Sequence, residues 1–430
     1  MFDPCGHATA RRMKAEVETP RNRVLLLLLL AYIFNFIDRN ILGVLAVPIR
    51  ADFGLSDTAL GSLGVAFGLF YAVAAVPIGW IADRKGRVGI IAAAVTVWSL
   101  FTAACGMVQT YAQLIVARMG VAVGEAGGVA PSYALISDYF PKSQRARALA
   151  AFSFGIPIGS ALGIFFGGWI AGHFSWRAAF LIVGLAGLPV AILIRSMIAE
   201  PSRPDAVPAT VKEPLLAART LLAIPSFWLL SLGAAAGSIP GYGFIFWLPS
   251  FFNRSFALPI EQVGWFYGSI VLVGGLAGTW LGGWVGDRAG PQRPGIYALI
   301  PAACFLIAIP LFAIGLFAES LVAAWIVFAL AQMLTLAWLG PVVSAIQQIV
   351  EPPLRATASA SFLFINNLIG IAGGIYALGW MSDALKAAHG ADSLRYSILY
   401  ALAFYALSAA IYLAAAAKLP ADIRMNDSAN

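Results

Sequence analysis

Four ionisable side chains stand inside long apolar stretches of the sequence. Asp38 and Arg39 are adjacent in the first stretch, and Arg118 and Glu125 are seven residues apart in the fourth. An ionisable group in the middle of a bilayer costs roughly 2.5–3.5 kcal/mol on insertion scales, so such groups face the protein interior or a cavity. Helical residues seven apart point within about 20° of each other. Arg118 and Glu125 are therefore predicted to face one central cavity.

These residue types can exchange protons and bind anions. Burial raises the pKa of a carboxyl group and a neighbouring arginine lowers it, so an arginine that moves away lets a carboxylate take up a proton. An arginine stays charged throughout and can hold a carboxylate or phosphate through two parallel bonds. A static ion pair that only fixes helix packing is the alternative. Arg39 can instead snorkel or pair locally, and Asn35 shares the face of Asp38 by its i,i+3 spacing.

The composition requires lipid as the solvent of most of the chain. Of the 430 residues 60% are hydrophobic and 11% are charged, whereas a soluble globular protein has about 25% charged residues. A transmembrane helix needs about 20 predominantly apolar residues. The runs of this kind are residues 23–47, 58–82, 88–108, 111–139, 147–172, 177–198, 226–252, 262–286, 295–317, 320–349, 357–383 and 395–417. They are too long for barrel strands and do not alternate, so the predicted fold class is an all-α polytopic membrane protein with twelve helices.

The basic residues are unequally divided between the two sides of this bundle. With the N-terminus in the cytoplasm, twenty Lys and Arg residues fall on the cytoplasmic side and five on the other. Short cytoplasmic loops carry such an excess. Both termini are therefore predicted to be cytoplasmic, in a multi-pass protein of the inner (plasma) membrane. The net charge of +7 follows from this distribution and gives no indication of nucleic acid binding.

Matching loops occur in the two halves of the sequence. Gly79, Asp83, Arg84, Gly86 and Arg87 follow the second run, and an incomplete copy with Gly283, Asp287 and Arg288 follows the eighth at an offset of 204 residues. A second pair of matching loops, beginning at Arg145 and Arg355, is offset by 210 residues. Parallel six-span repeats indicate two rigid bundles that expose a central site to each side in turn.

The loop at residues 79–87 resembles the signature of the major facilitator superfamily, and the likeness covers essentially the whole chain. The resemblance implies two six-helix bundles related by pseudo-two-fold symmetry, and a gating role for loop residues at the bundle interface. Those residues are Gly79, Asp83, Arg84, Gly86, Arg87, Asp287, Arg288 and Arg145. A glycine permits a tight turn at a helix end, and Asp83 can accept from basic residues or helix N-terminal amides. A simple basic loop is the alternative reading.

Within that superfamily the sequence resembles the spinster branch. The residues that carry the likeness are Asn35, Asp38, Arg39 and Asn40 in the first run, and Arg118, Gly124, Glu125, Ala126, Pro131 and Asp138 in the fourth. The resemblance implies that Asp38 binds the proton, that Arg118 is its switching partner, and that Glu125 takes part in proton coupling. Animal members of the branch are associated with export of sphingolipids and lysophospholipids.

The candidate substrate-binding residues come from both halves: Arg118, Glu125 and Asn35 from the first, and Asn366 and Asn367 from the second. The second half has no ionisable residue within the core of its spans. A cavity with one charged wall and one apolar wall suits an amphipathic molecule with a charged head. The fifth run, with Gly155, Pro157 and Gly159, resembles the glycine-proline motif of exporters, but small residues at this spacing also allow tight helix contact.

The sequence as a whole predicts a proton-coupled secondary transporter that exports a lipid-like or anionic amphiphile, with small polar organic anions as the alternative substrates. It has no Ser/His/Asp, metal or nucleotide motif, so neither an enzyme nor a cofactor or metal site is expected. The expected partners are the substrate, protons and membrane lipids, and a monomer is expected. The predicted segments are a cytoplasmic tail (1–22), a first bundle (23–198), a cytoplasmic linker (199–225), a second bundle (226–417) and a cytoplasmic tail (418–430).

Overall fold

A computed structural model describes residues 20–201, 221, 223–290, 292–351 and 354–429. Over these residues the secondary structure is helical and contains no strand, and twelve helices are long and apolar enough to cross a membrane. We number them α1 (Arg21–Phe53), α2 (Asp57–Ala82), α3 (Arg87–Cys105), α4 (Tyr111–Tyr139), α5 (Arg147–His173), α6 (Trp176–Met197), α7 (Pro225–Phe256), α8 (Ile260–Ala289), α9 (Ile296–Leu316), α10 (Leu321–Gln348), α11 (Thr357–Ala384) and α12 (Lys386–Ile423). Each predicted run overlaps one of these helices, which confirms the predicted fold class.

Local sequence fixes several of the helix ends. The hydroxyl of Ser56 accepts from the main-chain N–H of Ala59 at the start of α2, and Ser175 caps α6 in the same way. Thr110 and Gln113 form a reciprocal capping box at the start of α4. Each of these side chains satisfies a main-chain N–H that has no partner within its helix. Helix α1 ends at Gly54, which has φ +64° and so adopts a conformation that favours glycine.

The helices form two bundles, α1–α6 and α7–α12. In the first, α1 packs against α5, and α3 packs against α4 and α6. In the second, α12 packs against α7 and α9, and α10 packs against α8 and α9. Glycines permit the close contacts, because a Cβ added to Gly159 would lie 2.4 Å from the carbonyl oxygen of Ile33. Such close approach of backbones favours helix association in membranes, where lipid provides no hydrophobic driving force between helices.

Several of the helices are irregular within their length, among them α4, α10 and α11, which the sequence did not predict. Helix α4 is interrupted between Ala126 and Val129, and α10 between Leu336 and Leu339. These breaks lie 210 residues apart, the same offset as the loops at Arg145 and Arg355, so they obey the internal symmetry. Helix α11 contains a π-helical turn at Leu368–Gly373 that has no counterpart in α5.

The bundles meet along two helix pairs, α5 with α8 and α2 with α11. We call the side where α1 begins and α12 ends the terminal side, and the opposite side the far side. The closest approaches of α2 to α11 lie in the far-side half of α2: a Cβ on Gly61 would be 2.9 Å from Tyr376, and one on Gly64 would be 2.7 Å from Ile375. On the terminal side of α2, Val73 and Trp80 are exposed.

Charged groups join the bundles at the far side. The carboxylate of Asp57, fully buried at the start of α2, accepts two hydrogen bonds from the guanidinium of Arg254 on α7, at 2.7 and 2.8 Å. It also accepts from the hydroxyl of Ser382 on α11 at 2.8 Å. Asp383 on α11 accepts in turn from the main-chain N–H and hydroxyl of Thr58, both at 2.7 Å. We call this network the far-side clamp.

The predicted segment boundaries stay predictions. Most of the tail at residues 1–22 and of the linker at residues 199–225 lies outside the described residues. Pro353, which lies just before the matching loop at Arg355, is also outside the described residues.

Removal of the far-side clamp should favour opening at that side. Arg254→Ala deletes two charge-assisted hydrogen bonds, each contributing about 1.5–3 kcal/mol, and about 1.4 kcal/mol changes an equilibrium tenfold. In a cysteine-free background with Ile245→Cys in the central cavity, labelling by an impermeant thiol reagent from the far side should rise about tenfold or more. Arg177→Ala is the control, because Arg177 pairs with Asp52 inside one bundle and both side chains are exposed. Equal labelling in both variants would contradict a clamping role.

Candidate functional site

A small central cavity lies between the two bundles at mid-depth. The first bundle contributes a wall with Arg39, Asn40, Phe67 and Arg118. The second contributes an apolar and aromatic wall, formed by Tyr242, Ile245, Phe246, Ile371 and Ile375. The predicted asymmetry between a charged and an apolar wall is therefore present in the arrangement of the side chains.

Arg39 forms the ion pair of this site, with Glu125. Its Nε and Nη2 donate to Oε2 of Glu125 at 3.2 and 2.7 Å, joining α1 to α4. The guanidinium also lies over the rings of Phe36, Phe67 and Tyr71, at 5.1, 5.3 and 5.1 Å from their centroids. Arg39 is thus held by one carboxylate and by aromatic faces, which attract cations electrostatically. It pairs across the bundle, and the sequence alone had left open whether it snorkels or pairs locally.

Arg118 has no carboxylate within 4.0 Å among the described residues, although it is only 2% exposed. Its Nη1 donates to the main-chain oxygen of Asp38 at 3.3 Å, its Nε has no hydrogen-bond partner, and the guanidinium lies over the ring of Phe67 at 5.0 Å. Arg118 faces the central cavity, whereas Glu125, which the same spacing predicted to face it, does not line it. It is therefore a buried cation with hydrogen-bonding capacity left for a ligand.

The carboxyl group of Asp38 points into the first bundle. It is 1% exposed, does not line the central cavity, and its Oδ1 has no hydrogen-bond partner. Thr102 on α3 and Arg118 on α4 are its polar neighbours. No cation of the described residues lies within 4.0 Å of its carboxylate. The structure thus brings Asp38, Arg118 and Glu125 together, with Asp38 behind the cavity wall and Arg118 in it.

The three amides proposed for substrate binding occupy different places. Asn35 lies inside the first bundle near Glu125, and neither atom of its amide has a partner. In the second bundle the hydroxyl of Ser238 donates to Oδ1 of Asn366 at 2.6 Å, and that of Tyr242 donates to Oδ1 of Asn367 at 3.0 Å. None of the three amides lines the central cavity, and Asn367 reaches it only through Tyr242.

The π-helical turn of α11 lies directly beside the cavity. It begins immediately after Asn367, and its Ile371 contributes to the apolar wall. A π-helical turn adds a residue to the local helical repeat, and such turns are frequent at functional sites. The turn therefore sets which side chains of α11 face the cavity, a detail that the apolar sequence of this segment did not reveal.

The predicted gating loop lies between α2 and α3 on the terminal side. Gly86 has φ +99°, a conformation that favours glycine. Arg87 pairs with Asp138 at the end of α4, and Arg84 lies 3.6 Å over the ring of Trp80. A Cβ on Gly79 would meet nothing within 4 Å. The side chain of Asp83 lies outside the described residues, so its gating role stays a prediction.

The remaining gating candidates make local contacts. The guanidinium of Arg288 lies 4.4 Å over the ring of Trp284, one turn earlier on α8, and Asp287 is exposed. Nε of Arg145 donates to the main-chain oxygen of Phe140 at 2.9 Å, which secures the turn after α4. These contacts lie within one bundle each.

Glu200, just after α6, was missed by the sequence analysis. Its two carboxylate oxygens accept from the main-chain N–H groups of Arg87 and Val88 at 2.8 and 2.7 Å. A carboxylate at a helix N-terminus satisfies otherwise unpaired donors and interacts favourably with the helix dipole. Glu200 thus anchors the start of the linker to the gating loop. No local pattern signals this contact, because the partners are 113 and 112 residues apart.

The site as a whole can hold an anion and a proton. Its four ionisable groups are two acids and two bases, and only Arg39 and Glu125 form an ion pair within 4.0 Å among the described residues. A charge in an apolar bundle is stabilised when it is paired. An anionic group in the cavity would pair with Arg118, and a proton would neutralise Asp38.

Comparison with known proteins agrees with the fold described above. Residues 28–374 match the family model described as Major Facilitator Superfamily. An MFS-type efflux pump from Mycolicibacterium smegmatis is 33% identical over 391 residues, which cover 90% of this chain and 91% of that protein. The human protein spinster homolog 1 is 28% identical over 440 residues, which cover 94% of this chain and 83% of that protein.

A solved structure has the same architecture. The crystal structure of a bacterial homolog of the human lysosomal transporter spinster, in an inward-facing and unoccupied conformation, superposes with a TM-score of 0.84. That protein is 31% identical in sequence, and the match covers 94% of this chain and 98% of the other.

Arg39 and Glu125 should make a coupled contribution to the stability of the folded protein. Removal of one partner of a buried ion pair costs about 3–5 kcal/mol, because it leaves the other charge uncompensated. Arg39→Met and Glu125→Leu should each lower the unfolding temperature in detergent markedly, and the double variant should lose less than the sum of the two. A double variant whose loss equals that sum would mean that the two side chains do not interact.

Proposed function

The chain belongs to the major facilitator superfamily, in its spinster-like branch, and on that premise we propose that it is a proton-coupled transporter that exports an amphiphile with an anionic head. Transport proceeds by alternating access, in which the two bundles rock about the central cavity and open it to one side at a time. A substrate can drive this change only if it binds the two orientations with different affinity.

Arg118 carries the proposal. It is a buried cation in the cavity wall, it lacks a carboxylate partner within 4.0 Å among the described residues, and its Nε is unbonded. Burial of a charge without a counter-charge is costly. A phosphate or carboxylate that enters the cavity would remove this cost and could engage the planar guanidinium through two bonds.

The opposite wall favours an apolar tail on the substrate. Ile245, Phe246, Ile371 and Ile375 offer aliphatic and aromatic surface, and Tyr242 is the polar side chain among the residues of this wall. A molecule with a charged head at Arg118 and a hydrocarbon tail along this wall would match both chemistries. Small organic anions would use the head site alone, so their binding without that of lysolipids would favour the alternative substrate class.

Proton coupling is assigned to Asp38, with Glu125 as the second carboxylate. Oδ1 of Asp38 is buried and without a partner, so a proton there would neutralise an otherwise poorly compensated charge. Ionised Asp38 and an anionic head would both be attracted to Arg118. Coupling follows if protonation of Asp38 and binding of the substrate favour different orientations of the bundles.

The direction and the membrane topology are parts of the same proposal. Export is supported by the relative named as an efflux pump. With the excess of basic residues on the terminal side, that side is the cytoplasmic one in the inner membrane. The far-side clamp then closes the external side, as an inward-facing orientation requires, and the proposed transporter works as a monomer.

Arg118→Lys should weaken binding of the substrate. Lysine keeps the charge but loses the planar fork, and loss of one charged hydrogen bond of about 1.5–3 kcal/mol lowers affinity about tenfold to a hundredfold. Binding of a lysophospholipid and of small organic anions to the purified variant would measure this loss. Arg195→Lys is the control, since Arg195 is exposed at the end of α6. Wild-type affinity in Arg118→Lys would refute two-bond recognition, and wild-type transport by a stable Arg118→Ala variant would refute the site.

Asp38→Asn should abolish the dependence of transport on a pH gradient while leaving expression intact. The amide has the same shape as the carboxylic acid but cannot exchange a proton in the physiological range. Efflux from reconstituted vesicles with an acidic external side should be accelerated for the wild type and for the exposed control Asp392→Asn. The Asp38→Asn variant should respond to no gradient of either sign. Retained pH dependence in that variant would exclude Asp38 as the coupling group.

A further inference from the structure

A second cavity lies inside the first bundle, between α1, α3, α4 and α5. Tyr32, Asn35, Trp98, Gly128 and Ser132 are among the residues that line it. It shares no lining residue with the central cavity. Its free space is about that of a single water molecule.

Two residues that line this cavity carry buried polar atoms without partners. The amide of Asn35 is 1% exposed and neither its oxygen nor its nitrogen has a partner; the indole N–H of Trp98, also 1% exposed, has none either. Lipid cannot satisfy such groups, and each one left unsatisfied in the hydrocarbon region costs several kcal/mol. A ligand at this place must both donate and accept hydrogen bonds, as a water molecule does.

The unsatisfied atoms continue from this cavity to the two carboxyl groups. Asn35 is within interaction range of Glu125, and Thr102 of Asp38, but neither pair has the geometry of a direct hydrogen bond. The atoms concerned are Oε1 of Glu125, Oγ1 of Thr102 and Oδ1 of Asp38. Polar groups that lie close together but beyond direct contact are commonly bridged by water.

The cavity also leads toward the terminal side. Helix α1 begins there, so Tyr32 lies about one turn nearer to that side than Asn35. Tyr133, on the part of α4 that runs to the terminal side, lies beside Tyr32 and is partly exposed. The titratable groups that interact with Tyr32, Asp38 and Glu125 are Arg39 on α1, Tyr71 on α2, Cys105 on α3, and Arg118 and Tyr133 on α4.

We propose that this cavity is a water-binding site, and that its water carries protons between the terminal side and the carboxyl groups of Glu125 and Asp38 through the first bundle. Each hop transfers one proton between a water or hydroxyl oxygen and the next oxygen, and the last acceptor is Oε1 of Glu125 or Oδ1 of Asp38. Asn35 and Trp98 orient the water. The proton path rests on the proposed function, whereas the binding of water does not. Substrate and proton would thus reach the site by separate routes.

Hydroxyl-radical footprinting of the full-length protein tests for the water. X-ray pulses generate radicals from bound water, so a buried side chain beside ordered water is oxidised and one in dry surroundings is not. Trp247 is the matched control: it is 0% exposed, and its indole N–H already donates to the main-chain oxygen of Ile375 at 2.9 Å. Trp98 should be oxidised severalfold faster than Trp247. Equal, slow oxidation of both would show a dry cavity and overturn the proposal.

Two neighbouring glycines provide matched variants. A Cβ on Gly128 would lie 3.0 Å from the ring of Trp98 and narrow the cavity, whereas a Cβ on Gly127 would meet Ala94 and Ile78 at 3.0 and 3.1 Å, outside it. Both glycines have φ values that alanine adopts readily. Gly128→Ala should reduce oxidation of Trp98 to the level of Trp247 and slow proton uptake by vesicles severalfold, and Gly127→Ala should change neither.

The readouts separate failure of this inference from failure of the proposed function. If Trp98 is oxidised rapidly but wild-type vesicles take up no protons with transport, the water site stands and proton coupling fails. If proton uptake is coupled to transport but unchanged by Gly128→Ala, the route is overturned. Trp98→Phe, which keeps a ring but removes the N–H donor, replaces Gly128→Ala if that variant does not fold, and it should slow proton uptake in the same direction.

Discussion

The structure depends on one constraint: four ionisable groups must be accommodated inside the first bundle, where lipid cannot solvate them. Arg39 and Glu125 compensate each other's charge by forming an ion pair. This pair joins α1 to α4 across the first bundle. The guanidinium of Arg118 donates a hydrogen bond to the main-chain oxygen of Asp38 and not to its carboxylate. Arg39 and Glu125 therefore compensate each other, whereas Arg118 and Asp38 form no ion pair within 4.0 Å among the described residues.

The two bundles have the same topology but different chemistry. The first holds all the buried charges of the site, while the second offers apolar side chains, the amides of Asn366 and Asn367 and the π-helical turn of α11. This division has a mechanical consequence. Because the charges are contained within one bundle, the proposed rocking of the bundles would leave the pair of Arg39 and Glu125 intact.

Charged groups also lie between the two bundles at the far side, where the carboxylate of Asp57 accepts hydrogen bonds from Arg254 and Ser382. This contact is directional and discrete, unlike the apolar contacts of the cavity walls, so it favours one closed arrangement. On the terminal side, Glu200 and the pair of Arg87 with Asp138 tie loops within the first bundle. The far-side network thus joins the two bundles, whereas the terminal-side contacts strengthen one of them.

The sequence alone determined the twelve spans, the internal repeat and the identity of the four ionisable residues of the central site, because long apolar runs and isolated charges are local features that hydropathy reports directly. It also placed Arg118 toward a cavity, since helical spacing fixes the face on which a side chain lies. Only the tertiary structure decided that Glu125 pairs with Arg39, that Asp38 points behind the cavity wall, and that Asp57 meets Arg254. These outcomes depend on how separate helices rotate and tilt against one another, and packing between residues 86 to 197 positions apart is not encoded in any local pattern.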